Sequence, residues 1–242
     1  MDESSAPGLS VVVPALNEAG WIGPTVERAR SVLGRDAELI VVDGGSVDDT
    51  RDRARDAGAD RVLGCEASRG RQLNVGARAA RGRVLLFLHA DTRLERGSRQ
   101  AILEAVAGGA DLGCHRFGVY PPPGRFDRWR LLERAVNLRT RVFRTATGDQ
   151  AIFATRSHLR RAGGFPDQPL FEDVAFVTRS RRAGGRFRIL PVTARTSRRR
   201  WESAGFLTTV LLHLGLRAGH ALRIPPGRLA EWYREWSSGG SP

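Results

Sequence analysis

The chain contains no lysine and very little sulfur: all 39 basic residues are arginine, beside two cysteines and one methionine in 242 residues. Cys65 and Cys114 alone make neither a disulfide framework nor a zinc site, and read as small buried apolar residues in a reducing compartment. No apolar run reaches the length that crosses a bilayer; the longest, Phe206 to Leu222, carries His213, Arg217 and His220 and reads as a packed or interfacial helix. No Gly-x-Gly-x-x-Gly follows the first strand-like run, which argues against a dinucleotide-binding dehydrogenase. No glycine-rich basic loop follows it either, which argues against a nucleotidyltransferase holding a triphosphate. Internal repeats are absent, and Met1 to Ser5 is acidic and polar, the opposite of a signal peptide, so a cytoplasmic location is expected.

What is present is a globular composition, 41% hydrophobic, with a formal charge of +13. The length suits one large α/β domain or two small ones. Arginine favours bidentate phosphate contacts, so nucleotides, nucleic acid and anionic lipid are the candidate partners. A nucleic-acid-binding protein ranks low, because the arginines are scattered among acids without an aromatic stacking platform or a reading helix.

Taken in order, the chain alternates strand and helix. Ser10 to Pro14 is a buried strand, followed by a helix capped near Asn17 or Glu18 and closed at Gly34. Glu38 to Asp43 is the next strand, Gly44-Gly45-Ser46 a turn, and Asp48 and Asp49 are expected in the first turn of a second helix. A short strand over Arg61 to Cys65 leads to a helix entered at Ser68. Val84 to Thr92 is then expected as a fully buried strand, whose alternation would set His89 and Asp91 on one face with Ala90 on the other. Repeats of this kind argue for a parallel sheet with helices on both faces.

After a helix at Gly97 to Ala107 comes a strand over Leu112 to Tyr120. Arg125 to Arg144 is expected as a basic amphipathic helix with Trp129, Leu132, Ala135, Val136, Leu138 and Phe143 in one stripe. Ala151 to Ala154 is a strand, Leu159 to Gly164 closes a short helix, Glu172 and Asp173 open another helix, Arg186 to Pro191 is the last strand, and Thr196 to Trp201 a cationic loop. The predicted division is a frayed 1–8, a domain over 9–201 with halves 9–108 and 109–201, a helical segment 202–236 and a tail 237–242.

Glu18, Asp43 and Asp91 all follow strands, where ligands collect in parallel sheets; Asp173 opens a later helix. Each alone suits a helix N-terminus, and it is their joint placement that points to a site.

The constellation resembles the family 2 glycosyltransferases, which have the GT-A fold, from about Leu9 to Trp201. Ser10-Val11-Val12-Val13-Pro14-Ala15-Leu16-Asn17-Glu18 and Val41-Val42-Asp43-Gly44-Gly45-Ser46-Val47-Asp48-Asp49-Thr50 are similar to the family's two nucleotide-contact loops. His89-Ala90-Asp91 takes the place of its Asp-x-Asp metal motif, and Glu172-Asp173 that of its acceptor-side motif. Ser197-Arg198-Arg199-Arg200-Trp201 is partly similar to the Gln-x-x-Arg-Trp signature. Gly70-Arg71-Gln72-Leu73-Asn74-Val75-Gly76, with Leu86 to Thr92 and Gly163-Gly164-Phe165-Pro166, is similar to a bacterial subgroup labelled radical-SAM- or selenodomain-associated, or carotenoid-glycosyltransferase-like.

The resemblance implies an α/β fold: a Rossmann-like, mostly parallel central sheet flanked by helices, with further helices at the C-terminus. It implies a metal-dependent, inverting transfer of a sugar from a nucleotide-diphosphate donor, most readily a UDP-sugar, to an acceptor hydroxyl or carboxyl. Pro14, Ala15, Asn17, Glu18, Asp43, Gly45, Arg71, Ala90 and Asp91 would contact the donor, with Asp43 accepting from a uracil imide. Asp91 would hold Mn2+ or Mg2+, hard cations that need few protein oxygens beside a diphosphate. His89 stands where the family more commonly has an acid; it is left to ligate the cation, to contact ribose, or to do neither. Asp173 would be the base, with Asp149, Gln150, Glu172, Arg200 and Trp201 on the acceptor or lid side and Arg198 to Arg200 folding over the diphosphate. The basic and apolar helices point to a lipid or isoprenoid acceptor and a peripheral place at the inner face of the cell membrane.

Overall fold

The computed structural model describes residues 8–122, 124, 127–222 and 224–238, with the side chains of Arg200, Ser237 and Ser238 left aside. The first half alternates as the sequence predicts: β1 (Leu9–Ala15), α1 (Ala19–Leu33), β2 (Glu38–Asp43), α2 (Thr50–Asp56), β3 (Arg61–Gly64), α3 (Arg69–Ala79), β4 (Val84–Phe87), β5 (Thr92–Leu94) and α4 (Ser98–Ala107). The second half runs β6 (Leu112–Tyr120), α5 (Arg128–Phe143), a 3-10 turn (Gly148–Gln150), β7 (Ile152–Thr155), α6 (Arg156–Arg161), α7 (Glu172–Arg182), β8 (Phe187–Ser197), α8 (Arg199–Ala204), α9 (Phe206–Ala221) and α10 (Pro226–Ser238).

All strands join one sheet in the order β3-β2-β1-β4-β7-β6-β8-β5. β3, β2, β1 and β4 are mutually parallel, as are β6 and β8, whereas β7 runs antiparallel to both its neighbours and β5 antiparallel to β8. The strands alternate between two cores. Val11 and Val13, Leu39 and Val41, and Leu86 and Leu88 pack against α1 and α4; Val12, Ile40, Val42, Leu85 and Phe87 pack against α3, α6 and α7. Both faces of these strands are buried, which is why the sequence shows continuous β-branched runs rather than polar alternation. Each such side chain contributes roughly 1.5–3 kcal/mol on burial, enough to fix the strand register. Because β2 lies on one side of β1 and β4 on the other, the chain changes direction between β1 and β4, opening a crevice at their carboxyl ends.

Four expectations change. β4 ends at Phe87, and the Thr92 N–H bonds to the His89 carbonyl at 3.1 Å, so His89-Ala90-Asp91 forms a turn between two strands rather than alternating within one. Asp48 and Asp49 precede α2 instead of occupying its first turn, since Asp48 accepts from Ala19 N and from Thr50. On α5 the apolar stripe is split: Trp129 is buried with Leu132 and Val136 against it, but Leu138 is 60% and Phe143 64% exposed. Thr196 to Trp201 is no loop, because Thr196 and Ser197 complete β8 by pairing with Thr92 and Tyr120, and α8 starts at Arg199. Of the predicted frayed ends, residues 1–7 and 239–242 lie outside the described residues. Cys114 is buried and Cys65 half-buried, and both are free.

Candidate active site

The crevice is built by short loops that exchange hydrogen bonds. Asn17 sits at a positive φ of 52° and its Oδ1 accepts from Val47 N at 3.0 Å, tying the loop after β1 to the loop after β2. The Asp43 carboxylate is fully buried and accepts from Gly45 N at 3.0 Å, Ser46 N at 3.1 Å and Arg51 Nε at 2.7 Å, and from the Ser46 hydroxyl. Burial opposes its ionisation, but the bonds from Ser46 and Arg51 hold it below the usual carboxylate range. Asp43 therefore shapes the loop that presents Gly45, its oxygens being taken up inside the protein.

Two motifs prove to be one brace. Asn74 on α3 donates to Phe165 O at 2.8 Å and accepts from Phe165 N at 2.9 Å, and Phe165 stacks on Phe176 with centroids 4.3 Å apart. Gln72 donates from one amide nitrogen to Ala15 O and Val42 O, both at 2.8 Å, so α3 locks the ends of β1 and β2 together. Arg71, expected at the donor, instead bonds Asp167 at 2.8 Å and pairs with Glu66. Its planar fork has found carboxylates rather than an open phosphate site.

Across the crevice, Arg199 at the start of α8 reaches back. Its Nη2 lies 3.2 Å from Asp91 Oδ2, also bonds Glu18 Oε1, and its guanidinium sits 5.3 Å from the Trp21 ring centre. Desolvation opposes its charge, but Glu18 and Asp91 more than offset that and keep it cationic. Glu18 Oε2 is buried with no hydrogen-bond partner among the described residues. Two carboxylates thus converge on one cation, with an oxygen to spare. Asp91 is half-buried and its main-chain carbonyl is held by Ser197 N at 3.1 Å.

On the other side, His89 packs its ring on Gly148, where an added Cβ would meet Nε2 at 2.2 Å. Gly148 N in turn donates to Asp173 Oδ2 at 2.6 Å, so that one backbone unit touches both the His89 ring and the Asp173 carboxyl. Burial and the adjacent Glu172 charge push the Asp173 carboxyl up to about 7. Glu172 is buried and lies 3.5 Å from Arg69 Nη1; burial works against the Arg69 charge, and Glu172, Asp173, Tyr233 and Asp91 together sustain it. Asp149 Oδ1 and Arg139 Nε are further buried polar atoms without a partner among the described residues. Gln150 departs from expectation: it is fully buried, its Oε1 receiving Thr140 at 3.2 Å and Thr147 N at 3.2 Å, so it holds the 3-10 turn rather than facing an acceptor. Trp201 packs in an aromatic cluster with Trp129, Phe206 and His213, at centroid distances of 5.2–6.1 Å. The Arg200 side chain lies outside the described residues.

The crevice joins Glu18, Asp91, His89, Arg199, Arg69, Asp149, Glu172 and Asp173, from both halves of the chain. Pro14, Ala15 and Ala90 are buried and would offer a ligand their main chain only, while Gly45 is exposed at the mouth of its loop. Trp21, Arg51 and Arg69 escape sequence reading, since a tryptophan or arginine in the first turns of a helix has no mark that distinguishes it from a surface residue. Among the described residues no three His, Cys, Asp or Glu side chains cluster as a ready-made metal site. A hard cation with a diphosphate needs fewer, and Asp91 with the spare Glu18 oxygen nearby fits that donor requirement.

Several known proteins are similar to this chain. Over 61 residues, a quarter of this chain and a fifth of the relative, it is 49% identical to glucosyl-3-phosphoglycerate synthase of Mycolicibacterium smegmatis. It is 34% identical over 111 residues, 43% of each chain, to a PGL/p-HBAD biosynthesis glycosyltransferase of Mycobacterium bovis. The matched segments span well under two thirds of these relatives. Among solved structures, TarS of S. aureus in complex with UDP-GlcNAc superposes with a TM-score of 0.60 at 18% identity, covering 78% of this chain and 58% of that one. Glucosyl-3-phosphoglycerate synthase of Mycobacterium tuberculosis, in complex with Mn2+, UDP and glucosyl-3-phosphoglycerate, gives 0.52 at 24% identity, covering 77% and 71%. The model of the glycosyl transferase family 2 matches residues 10–163, well over half of the chain. With that match reaching from the first strand into the second half of the chain, and with the mostly parallel sheet that carries Asp43 and Asp91 at its mouth, the chain belongs to glycosyl transferase family 2.

Proposed function

We propose that this protein transfers a sugar from a nucleotide diphosphate, with UDP as the nucleotide, to an acceptor hydroxyl or carboxyl, with inversion at the anomeric carbon. The observation that carries the reading is the Asp173 carboxyl, raised to about 7 and fixed by Gly148 N beside the turn that bears Asp91. A base with that affinity is half-ionised at neutral pH and accepts the acceptor's proton as the new bond forms. Attack from its side pushes the leaving diphosphate toward Asp91, so bond making and breaking occur on opposite faces of the sugar. Glu18 and Asp91 set the leaving-group end of the crevice and Arg199 supplies positive charge there. A divalent cation held by Asp91, with His89 or Glu18 near it, would neutralise charge developing on the departing phosphates. The relatives support the donor class: TarS is described with UDP-GlcNAc and the mycobacterial synthase with UDP and Mn2+.

The test is UDP release from a panel of UDP-sugars with and without Mn2+, with the anomeric configuration of the product read by NMR. Loss of turnover in both Asp91→Ala and Asp173→Ala and an inverted product support the reading. Transfer that survives both substitutions, or a retained configuration, overturns the assignment of roles.

A further inference from the structure

Helices α5 and α9 leave an unusual surface. On α9 the inner side is anchored by buried Thr209 and Leu216 and by Gly219, where an added Cβ would meet Leu229 at 2.7 Å. The outer side carries Leu207, Leu211 and Leu214, exposed by 73, 68 and 59%. No acid and no arginine is among the exposed residues of this helix, although soluble surfaces normally interleave charge. On α5, Leu131, Leu138 and Val142 are exposed by 60% or more at helical spacing, and between them stand exposed Arg130, Arg134 and Arg141. The one acid of α5, Glu133, is turned inward to Val119 N at 2.9 Å, which leaves the outer face purely apolar and cationic.

The two helices adjoin. α5 and α9 start from one aromatic cluster, with Trp129 and Phe206 ring centres 5.0 Å apart, and further along burial and the nearby Arg217 charge push Arg139 down to about 10. None of the described helices is long and apolar enough to cross a membrane, so the surface is one that lies on a partner rather than through it.

We propose that the outer faces of α5 and α9 seat on a bilayer carrying anionic headgroups, the leucines entering the interface and the α5 arginines meeting the phosphates. Charge complementarity selects this occupant. In a two-fold contact with a second copy the same arginine-bearing face would meet itself, with no acid on it to pair them. Leucine with arginine on one side is the pattern that partitions into an anionic membrane surface, and the net charge of +13 adds long-range attraction. The proposal does not rest on the assignment of the reaction.

Vesicle flotation with the full chain tests it, using phosphatidylcholine alone and phosphatidylcholine mixed with phosphatidylglycerol. The wild type is expected to float with the mixed vesicles and not with the neutral ones, less so at high salt. Each of Arg130→Gln, Arg134→Gln and Arg141→Gln should weaken partitioning about fivefold. Leu211→Glu with Leu214→Glu should abolish it while circular dichroism and UDP binding stay unchanged, since both side chains are exposed. No flotation with mixed vesicles overturns the proposal, as does a dimer seen by light scattering that the leucine pair dissolves without any vesicle binding.

Discussion

Arg199 Nη2 stands 3.2 Å from Asp91 Oδ2, so a residue that follows the last strand in the chain occupies the carboxylate in the turn between the fourth and the fifth. The same nitrogen bonds Glu18, so that one guanidinium bridges two carboxylates of the crevice. Asp91 and Glu18 would repel each other without it, and a cation that binds Asp91 has to compete with a guanidinium already there.

Arg199→Gln should therefore lower stability by about 1–2 kcal/mol in metal-free buffer, between the limits for exposed and buried pairs. Mn2+ alone should raise the melting temperature of this variant more than that of the wild type, because the carboxylates are then free to bind it. Differential scanning fluorimetry with and without Mn2+ reads both effects. Equal shifts in the two proteins would show that Arg199 and the cation do not share a site.

The raised Asp173 carboxyl gives two pH dependences of opposite sign. Turnover needs the ionised form, so kcat/KM should rise with pH through about 7. Stability should fall over the same window: between the ordinary carboxyl range and about 7 the native state binds a proton that the unfolded chain has released. Asp173→Asn should cost at least ~100-fold in kcat and flatten the fall in stability. Denaturant titrations at several pH values check the second effect, and an unchanged slope would mean that the group is not titrating there.

Gly148→Ala puts a Cβ into the His89 ring at 2.2 Å. The turn that donates Gly148 N to Asp173 then has to shift or the imidazole has to leave, at about 1–3 kcal/mol. Both the unfolding midpoint and kcat should drop together, whereas Gly20→Ala, in open space and at an ordinary backbone angle, should leave stability within about 1 kcal/mol.

Asp43→Ala removes a buried carboxylate that three residues hold. Arg51, which is half exposed, can turn to water, but Gly45 N and Ser46 N lose their acceptor, and a loss of about 2–4 kcal/mol is expected. UDP affinity measured by calorimetry should fall with it, because the loop that presents Gly45 is no longer fixed. A stable variant with weakened UDP binding would instead place Asp43 in direct contact with the base.

Much of this was written locally. Val11 to Val13, Leu39 to Val42 and Val84 to Phe87 are strands because short β-branched and apolar runs bounded by Pro14, Asp43 and Arg83 suit burial on both faces, and that pattern needs only neighbours in sequence. The order of elements, the acids at the strand ends and the family resemblance followed from the same runs. The boundaries that shifted lie where a distant partner decides. Thr196 and Ser197 are strand only because Thr92 and Tyr120 offer free ladder positions, and Leu138 is exposed because α5 turns Trp129, Glu133 and Asn137 to β6.

The amino-acid sequence thus determined the strands, the helices and which carboxylates stand at the mouth of the sheet, since these depend on side-chain period and on turn residues within a few positions. Tertiary structure decided what those carboxylates face. Glu18, Asp91 and Arg199 meet across 181 residues of chain, and Gly148 joins His89 to Asp173 across three helices and three strands. Burial and the neighbouring Glu172 push Asp173 to about 7, whereas Asp43, buried as well, is held low by its bonds from Ser46 and Arg51. A carboxylate's solvent and charge partners are set by the packing of segments far apart in the chain, and no local pattern carries that information.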